Sequence, residues 1–245
     1  MILYDLSNEY DDQILKLTAV SNLTHRKLFH ILALFLYTPM HTEVMKDQRV
    51  WELLILSQNL VTVLFIYIEI ARYSNQENWL GMTLNSAFLR FADQREVSGR
   101  RLMLTHIYLL IGLGISTNLT YILLDGGFPD GEMATFAYSG VVFLGVADTV
   151  AALAGKELGQ HFWRLNAHNK SQEGTSWAIL VSSIIYYAFC LRVHQYMCSL
   201  FAVIFFSTMI ACIVEGWTAQ YDNLVCPIVY FIFLHQFYDY FINAF

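Results

Sequence analysis

Charge is scarce in this sequence. Asp, Glu, Lys and Arg make up 14% of its 245 residues, against 56% hydrophobic and 16% aromatic, with a mean hydropathy of +0.45. Soluble domains carry about 25% charge, and a soluble chain of this length has no core large enough for so much apolar side chain. The excess has to face lipid. The 14 Lys and Arg residues leave a net charge of −6, which offers no basic footprint for nucleic acid and excludes it as a partner. The four cysteines, Cys190, Cys198, Cys212 and Cys226, all lie in apolar segments, with no CxxC pair and no His at metal spacing. They read as small buried hydrophobes, with no disulfide and no zinc. No Gly/Ser linker, repeat or low-complexity run divides the chain, so a single domain over 1–245 is expected. The start, MILYDLSNEYDDQILKL, is too acidic and too broken for a signal peptide. No GxxxxGK[ST] sequence occurs, which argues against a P-loop fold.

What is present is a series of apolar stretches. A helix crosses a bilayer with about 20 such residues, and the candidates are 27–41, 50–71, 102–124, 134–154, 176–191, 196–214 and 224–243. The fold class expected is therefore an all-α polytopic transmembrane bundle of about seven spans. The first and fifth stretches are short, and tilted or re-entrant courses suit them. Trp51, Tyr121, Trp177 and Trp217 fall near the expected ends, where aromatic belts form. With a cytoplasmic N-terminus, 11 basic residues lie on the cytoplasmic side and 3 on the other, and the 72–101 and 155–175 loops carry eight of the 11. That bias orients the chain. His30, Glu69, His106, Asp148 and Glu215 then stand at the cytoplasmic ends of five spans, with Asp222 and Asn223 just before the last. A carboxylate at the bilayer centre costs about 2.5–3.5 kcal/mol, so their gathering at one boundary needs a reason. A channel or transporter would place them at mid-depth; a surface site where a water-soluble reactant meets a lipid would place them here.

The richest stretch is GVADTVAALAGKELGQHFWRLNAHNKSQEGT, residues 145–175. Asp148 lies in an apolar helix, Gly155 and Gly159 flank Lys156, and Lys170, Ser171, Glu173, Gly174 and Thr175 follow. Phosphoryl transfer needs cations against phosphate oxygens, carboxylates to hold Mg²⁺ and backbone that approaches closely, and all three ingredients occur here. The same residues also suit a helix end with a solvated loop. HRKLFH at 25–30 sets Arg26, Lys27 and His30 at the mouth of the first span, as ordinary positive-inside flanking also would. Glu69 and Arg72, three apart on one helical face, are expected to pair. EGWTAQYDN at 215–223 offers Glu215, Asp222 and Asn223 as oxygen ligands.

Taken together the motifs resemble the eukaryotic dolichol kinase family over roughly residues 24–235. The matching stretches are RKLFH at 26–30, LTHIYLLIGLG at 104–114, GVADTVAALAGKELG at 145–159, KSQEGT at 170–175 and EGWTAQYDNLVCPI at 215–228. RKxxH and the D…G…G…K…EGT pattern belong to the wider CTP-dependent lipid-alcohol kinases, whereas LTHIYLL and the DNL..P ending point to dolichol kinases. The chain departs from the family at Asn169 and Gln172, where a second basic residue and an aromatic are common. Family members are often about twice this length, with extra N-terminal spans.

The resemblance implies transfer of the γ-phosphoryl of CTP to the terminal hydroxyl of dolichol, with Mg²⁺ or another divalent cation. It places the chain as a multi-pass protein of the endoplasmic reticulum membrane, catalytic loops cytoplasmic, and supplies dolichyl phosphate for protein glycosylation. Residues 1–25 would be a cytoplasmic segment and 26–245 the catalytic core. Asp148, Lys170 and His30 are the catalytic candidates, with His30 the first choice of base and Asp148 the second. Arg26, Lys27, Gly155, Lys156, Gly159, Lys170, Ser171, Glu173, Gly174 and Thr175 are candidates for the nucleotide, and Asp148, Glu173 and Asp222 for the metal. Alternative expectations are a kinase of phytol or diacylglycerol, a cytidylyltransferase that releases pyrophosphate, and a transporter.

Overall fold

The computed structural model describes residues 27–28, 30–38, 47–75, 78–89, 102–127, 129, 131–163, 170–191, 198–218 and 221–243. Arg26 lies outside them. The described residues are helical almost throughout: α1 (27–28 and 30–38), α2 (Gln48–Ser74), α3 (Trp79–Leu89), α4 (Thr105–Leu123), α5 (Gly131–Val142), α6 (Asp148–Leu158), α7 (Gln172–Cys190), α8 (Cys198–Trp217) and α9 (Asp222–Tyr238). Among them the one extended pairing is an isolated bridge between Phe162 and Ser171. Lipid supplies no hydrogen bonds to backbone, so a spanning chain satisfies its own within helices.

Among the described residues five helices are long and apolar enough to cross a bilayer: Gln48–Ser74, Thr105–Leu123, Met133–Leu158, Ser199–Trp217 and Asp222–Phe241. Two of the seven stretches read from the sequence, 27–41 and 176–191, are not among them. The described part of α1 is too short to cross by itself. Helix α7 is 19 residues long but opens on the polar run Gln-Glu-Gly-Thr-Ser and buries Ser182 and Ser183. It runs through the bundle beside α6 and α8, which cover its serines, while Trp177, Leu180, Ile184 and Ile185 leave an apolar face exposed.

Helices α5 and α6 form one rod joined by a π-helical turn at Phe143–Ala147. All five residues of that turn are buried, and α1, α7 and α9 pack around it. The core that surrounds it is aromatic and aliphatic: Tyr138, Phe143, Leu144, Tyr186, Leu200, Ile204 and Tyr230 are fully enclosed. Hydroxyl groups link the helices where they touch. Ser116 and Thr117 of α4 donate to the Ala137 carbonyl of α5 at 2.9 and 3.1 Å, and the Tyr186 hydroxyl donates to the Thr135 carbonyl. Small and hydroxyl-bearing residues are what let helix backbones approach in a membrane, where helix association gains little from the hydrophobic effect.

Helix α3 departs from the sequence reading, which placed 72–101 in a cytoplasmic loop. It folds back along α2: Arg72 Nη1 donates to Asn85 Oδ1 at 3.0 Å, and the Phe65 and Phe88 rings lie 6.4 Å apart. Trp51 also departs, since it is fully buried with Leu54, Ile55 and Ala137 and stands in no aromatic belt. Cys190, Cys212 and Cys226 are free and buried.

The crossing of α4 on the start of α9 depends on Gly112. A Cβ there would stand 2.0 Å from the Asn223 carbonyl oxygen and 2.9 Å from Leu144 Cδ1. Backbone cannot swing aside as a side chain does. Gly112→Ala is therefore expected to destabilise the bundle by about 1–3 kcal/mol, the usual cost of overpacking. Thermal unfolding in detergent measures this, and a midpoint equal to wild type would show that the crossing is looser than the geometry states.

Candidate active site

The site is assembled at one end of the bundle. Asp148 is the first residue after the π turn, which shifts the helical register by one residue and sets the carboxylate inward; π turns often occur at functional sites. Ten residues separate Asp148 from the end of α6 at Leu158, so it lies about 15 Å below that end along the helix axis. The contact of Gly112 with Asn223 sets the start of α9 about 10 Å inside the first residue of α4. Asp148 thus lies in a recess below the end of α6, while Glu215, Lys170 and Asp222 stand at or beside the ends of α8, α7 and α9.

Lys27 and His30 come from α1, three apart on the face that meets α6. Lys27 Nζ donates to Asp148 Oδ2, and His30 Nε2 stands 3.3 Å from the same oxygen. All three are buried. On the opposite side Lys170 reaches in from the connection before α7. Its ammonium donates to Asp222 Oδ2 at 2.8 Å, to the Glu215 carbonyl at 3.0 Å and to Glu215 Oε1 at 3.4 Å. Burial alone would depress the Lys170 pKa, but the charges of Glu215 and Asp222 outweigh it and hold it above the usual lysine value. The ammonium is thus charged throughout the neutral range. The charges of Lys170 and Asp148 also act on one another, which joins the two halves into one cluster.

The KSQEGT run caps and packs the start of α7. Ser171 is the N-cap of α7, accepting from the Gly174 amide at 3.1 Å, a contact of about 1 kcal/mol. The Trp163 amide donates to the Lys170 carbonyl at 3.0 Å, and the Gln172 amide to the His161 carbonyl at 2.8 Å. Trp163 Nε1 donates to Thr175 Oγ1 at 3.0 Å, and Thr175 in turn donates to the Ser171 carbonyl at 3.1 Å. Glu173 accepts from the His161 amide at 3.1 Å, and its Oε1 meets the His161 ring at 2.6 Å. That hydrogen bond lowers the Glu173 pKa to about 2. These contacts clasp residues 161–163 to 170–175 and fix the main chain from which Lys170 extends.

Gly174 and Gly155 let α7 and α6 touch. A Cβ on Gly174 would meet the Ala151 carbonyl oxygen at 2.5 Å and Gly155 Cα at 2.9 Å. Gly159 packs against Ser171 at the end of the same crossing. Lys156 points outward, its nearest acid the adjacent Glu157 at 3.9 Å.

The structure thus brings together Lys27, His30, Asp148, Lys170 and Asp222 from the residues expected. It leaves Gly155, Gly159, Ser171, Gly174 and Thr175 in the packing and capping that surround them, and Lys156 and Glu173 apart. Glu215 joins the cluster, although the sequence suggested it only as one of several oxygen ligands. Its signal was its place, seven residues before Asp222 and at the end of an otherwise apolar helix. Glu69 pairs with Arg72 as expected, away from this cluster.

Two ammonium groups, of Lys27 and Lys170, accompany three carboxyl groups, Asp148, Glu215 and Asp222, in this cluster. Their hard oxygen donors suit Mg²⁺, which keeps waters and is commonly held by one or two carboxylates together with phosphate oxygens. Among the described residues no three His, Cys, Asp or Glu side chains form a metal cage on their own. Asp148 and Asp222 offer oxygens of the kind that Mg²⁺ takes; Glu173 is held by the His161 ring.

No family profile and no solved structure matches the chain. Individual proteins do. It is 33% identical over 213 residues to the dolichol kinases of Bos taurus and Homo sapiens, covering 85% of this chain and 37% of each of theirs. It is 30% identical over 214 residues to the dolichol kinase of Schizosaccharomyces pombe, covering 87% of this chain and 39% of that protein. The chain therefore spans well under half the length of the curated relatives it matches. Across most of its own length this all-helical chain, with its spans and its buried charge cluster, is a relative of the dolichol kinases.

Proposed function

We propose that the chain carries the catalytic core of a dolichol kinase that transfers the γ-phosphoryl of CTP to the terminal hydroxyl of dolichol. The observation that carries this reading is the gathering of Lys27, His30 and Asp148, all buried, with the partly exposed Lys170 and Asp222 at one end of the bundle. They come from distant parts of the sequence, and a shared charged substrate would account for placing them together. The basic loops of the 72–101 and 155–175 regions support a cytosolic site in the endoplasmic reticulum membrane, where its product would serve protein glycosylation.

In this reading the dolichol hydroxyl enters the recess from the lipid side. Its oxygen forms a bond to the γ-phosphorus, and the bond from that phosphorus to the β–γ bridging oxygen breaks, releasing CDP. The proton of the hydroxyl passes to His30. The charge of Asp148, 3.3 Å from Nε2, orients the ring and stabilises the imidazolium. Lys27 and Lys170 stabilise charge on the phosphoryl oxygens as transfer proceeds, a contribution that is large in a water-poor site. Asp148 and Asp222 would hold Mg²⁺, which when bound neutralises the nucleotide's phosphates. The recess below the end of α6 excludes bulk water and so limits transfer to water in place of the alcohol.

The test is label transfer. The chain in membranes is given γ-³²P-CTP, Mg²⁺ and dolichol, with γ-³²P-ATP as a parallel donor and phytol and diacylglycerol as competing acceptors. Label in dolichyl phosphate, with CDP as the second product, is the expected result. Label in a competing lipid alone would reassign the acceptor, release of pyrophosphate would point to a cytidylyltransferase, and no label in any lipid from properly inserted protein would overturn the kinase reading.

A further inference from the structure

We propose that Glu215 is a positioning residue that acts through Lys170, holding its ammonium at the place where it meets the transferred phosphoryl group. The proposal rests on the kinase reading above for its catalytic part, and on geometry alone for the contact itself.

Three observations carry it. First, Glu215 binds the Lys170 ammonium twice, through its main-chain carbonyl at 3.0 Å and its carboxylate at 3.4 Å. The carbonyl belongs to the last turn of α8, where helix carbonyls lack partners within the helix and the dipole is negative. A cation placed there is favoured before any side chain is counted. Second, the Glu215 side chain is only 7% exposed. A buried carboxylate loses its hydration and needs a cation to balance it, which Lys170 supplies. Third, the neighbours of Glu215 fix it. Thr218 Oγ1 donates to the same carbonyl at 3.3 Å, and a Cβ on the adjacent Gly216 would meet the Trp163 indole at 2.8 Å. Trp163 holds the Lys170 main chain at 3.0 Å. Both ends of Lys170 are therefore tied to the end of α8, its backbone through the Trp163 clasp and its tip through Glu215.

Asp222, the other acceptor for this ammonium, is a quarter exposed and stands where a cation carried on phosphates would arrive. Glu215 is enclosed on the far side. Were Asp222 to hold a divalent cation, Glu215 would keep the ammonium in place. Its role is thus distinct from that of a metal ligand, although its chemistry would allow either.

Two measurements test this. Turnover is compared in wild type, Lys170→Ala, Glu215→Gln, Glu215→Ala and the Lys170→Ala/Glu215→Ala pair. A group acting only through Lys170 gives a strongly non-additive cycle. Glu215→Ala is expected to lower kcat about 10²-fold, in the range of losing one stabilising donor. Glu215→Gln, which keeps an acceptor of the same shape, should lose less, and the double variant should be no slower than Lys170→Ala. Full additivity, or a kcat for Glu215→Ala equal to wild type, overturns the catalytic part.

Acylation of Lys170 by a water-soluble succinimidyl ester, followed by peptide mass, reads the contact without any turnover. It should be several-fold faster in both Glu215 variants, and an unchanged rate in folded Glu215→Gln protein overturns the proposal. Faster acylation in a chain that transfers no phosphoryl group would leave the contact standing and count against the kinase reading instead.

Discussion

Asp148→Asn is expected to bring turnover to the background of the assay, a loss of at least about 10³-fold, the upper range for removal of one preorganised electrostatic group. Asparagine has the same shape and still accepts hydrogen bonds, so the helix and its π turn persist. What disappears is the charge. In wild type one oxygen, Oδ2, serves both the Lys27 ammonium and the His30 ring. A neutral amide does not favour an imidazolium, so in the proposed mechanism His30 would lose the stabilisation that lets it accept the proton. It binds a divalent cation poorly, so in that mechanism the nucleotide's phosphates would lose one anchor. It leaves Lys27 buried beside a neutral partner, which lowers stability as well. Measuring label transfer together with thermal unfolding separates these effects: the variant should insert and melt cooperatively at a lower temperature, and still fail to transfer. Normal turnover by Asp148→Asn would remove Asp148 from the mechanism.

Composition and periodicity were enough for the helical, lipid-facing class, because burying or solvating this much apolar side chain in a small chain is physically excluded. They were less informative where packing rather than hydropathy decides. Helix α7 reads as a short span because its middle is apolar, yet its polar first turn and its serines are accommodated by neighbouring helices. Helix α3 reads as part of a loop because eleven residues, Trp79–Leu89, are too few to span, and nothing local says that they fold back along α2. Trp51 resembles a belt residue in sequence and is a core residue in space.

At the candidate site, His30 and Asp148 stood out because each interrupts an apolar run at a cost, whereas Lys27, Lys170 and Asp222 stood out as parts of the charged motifs beside the spans. The glycines and the KSQEGT run are ambiguous in sequence for a general reason. Close backbone approach is needed both for a phosphate and for a neighbouring helix, and the residue type does not tell them apart. Glu173 sits two residues past the N-cap, where an acid also suits the helix dipole, and its binding to His161 across a connection has no sequence signal. The π turn has none either, although it sets the direction of Asp148.

The buried pair on α2 gives the largest expected change in stability. Arg72 Nε and Nη2 donate to the two Glu69 oxygens at 2.8 and 2.6 Å, and the Met103 amide donates to Glu69 Oε1 at 2.6 Å. With Asn85 on Arg72 Nη1 at 3.0 Å, the pair ties α2 to α3 and to the approach to α4. The two side chains are 0% and 2% exposed. Breaking such a pair from one side costs about 3–5 kcal/mol, because a buried charge is left uncompensated. The two sides differ, however. A lone carboxyl in an apolar place relieves itself by taking a proton, whereas a guanidinium has no such escape. Glu69→Gln should therefore be the more damaging, lowering the thermal midpoint by roughly 6–20 °C for a chain of this size, and Arg72→Met should lower it less. The Glu69→Leu/Arg72→Met pair should recover most of the loss, since well-packed apolar residues often replace a buried ion pair without cost. It should fall short of wild type by the unpartnered Met103 amide, worth about 1–3 kcal/mol. A double variant as unstable as Glu69→Gln would mean that the cost lies in broken packing, and that the charge pair itself contributes little.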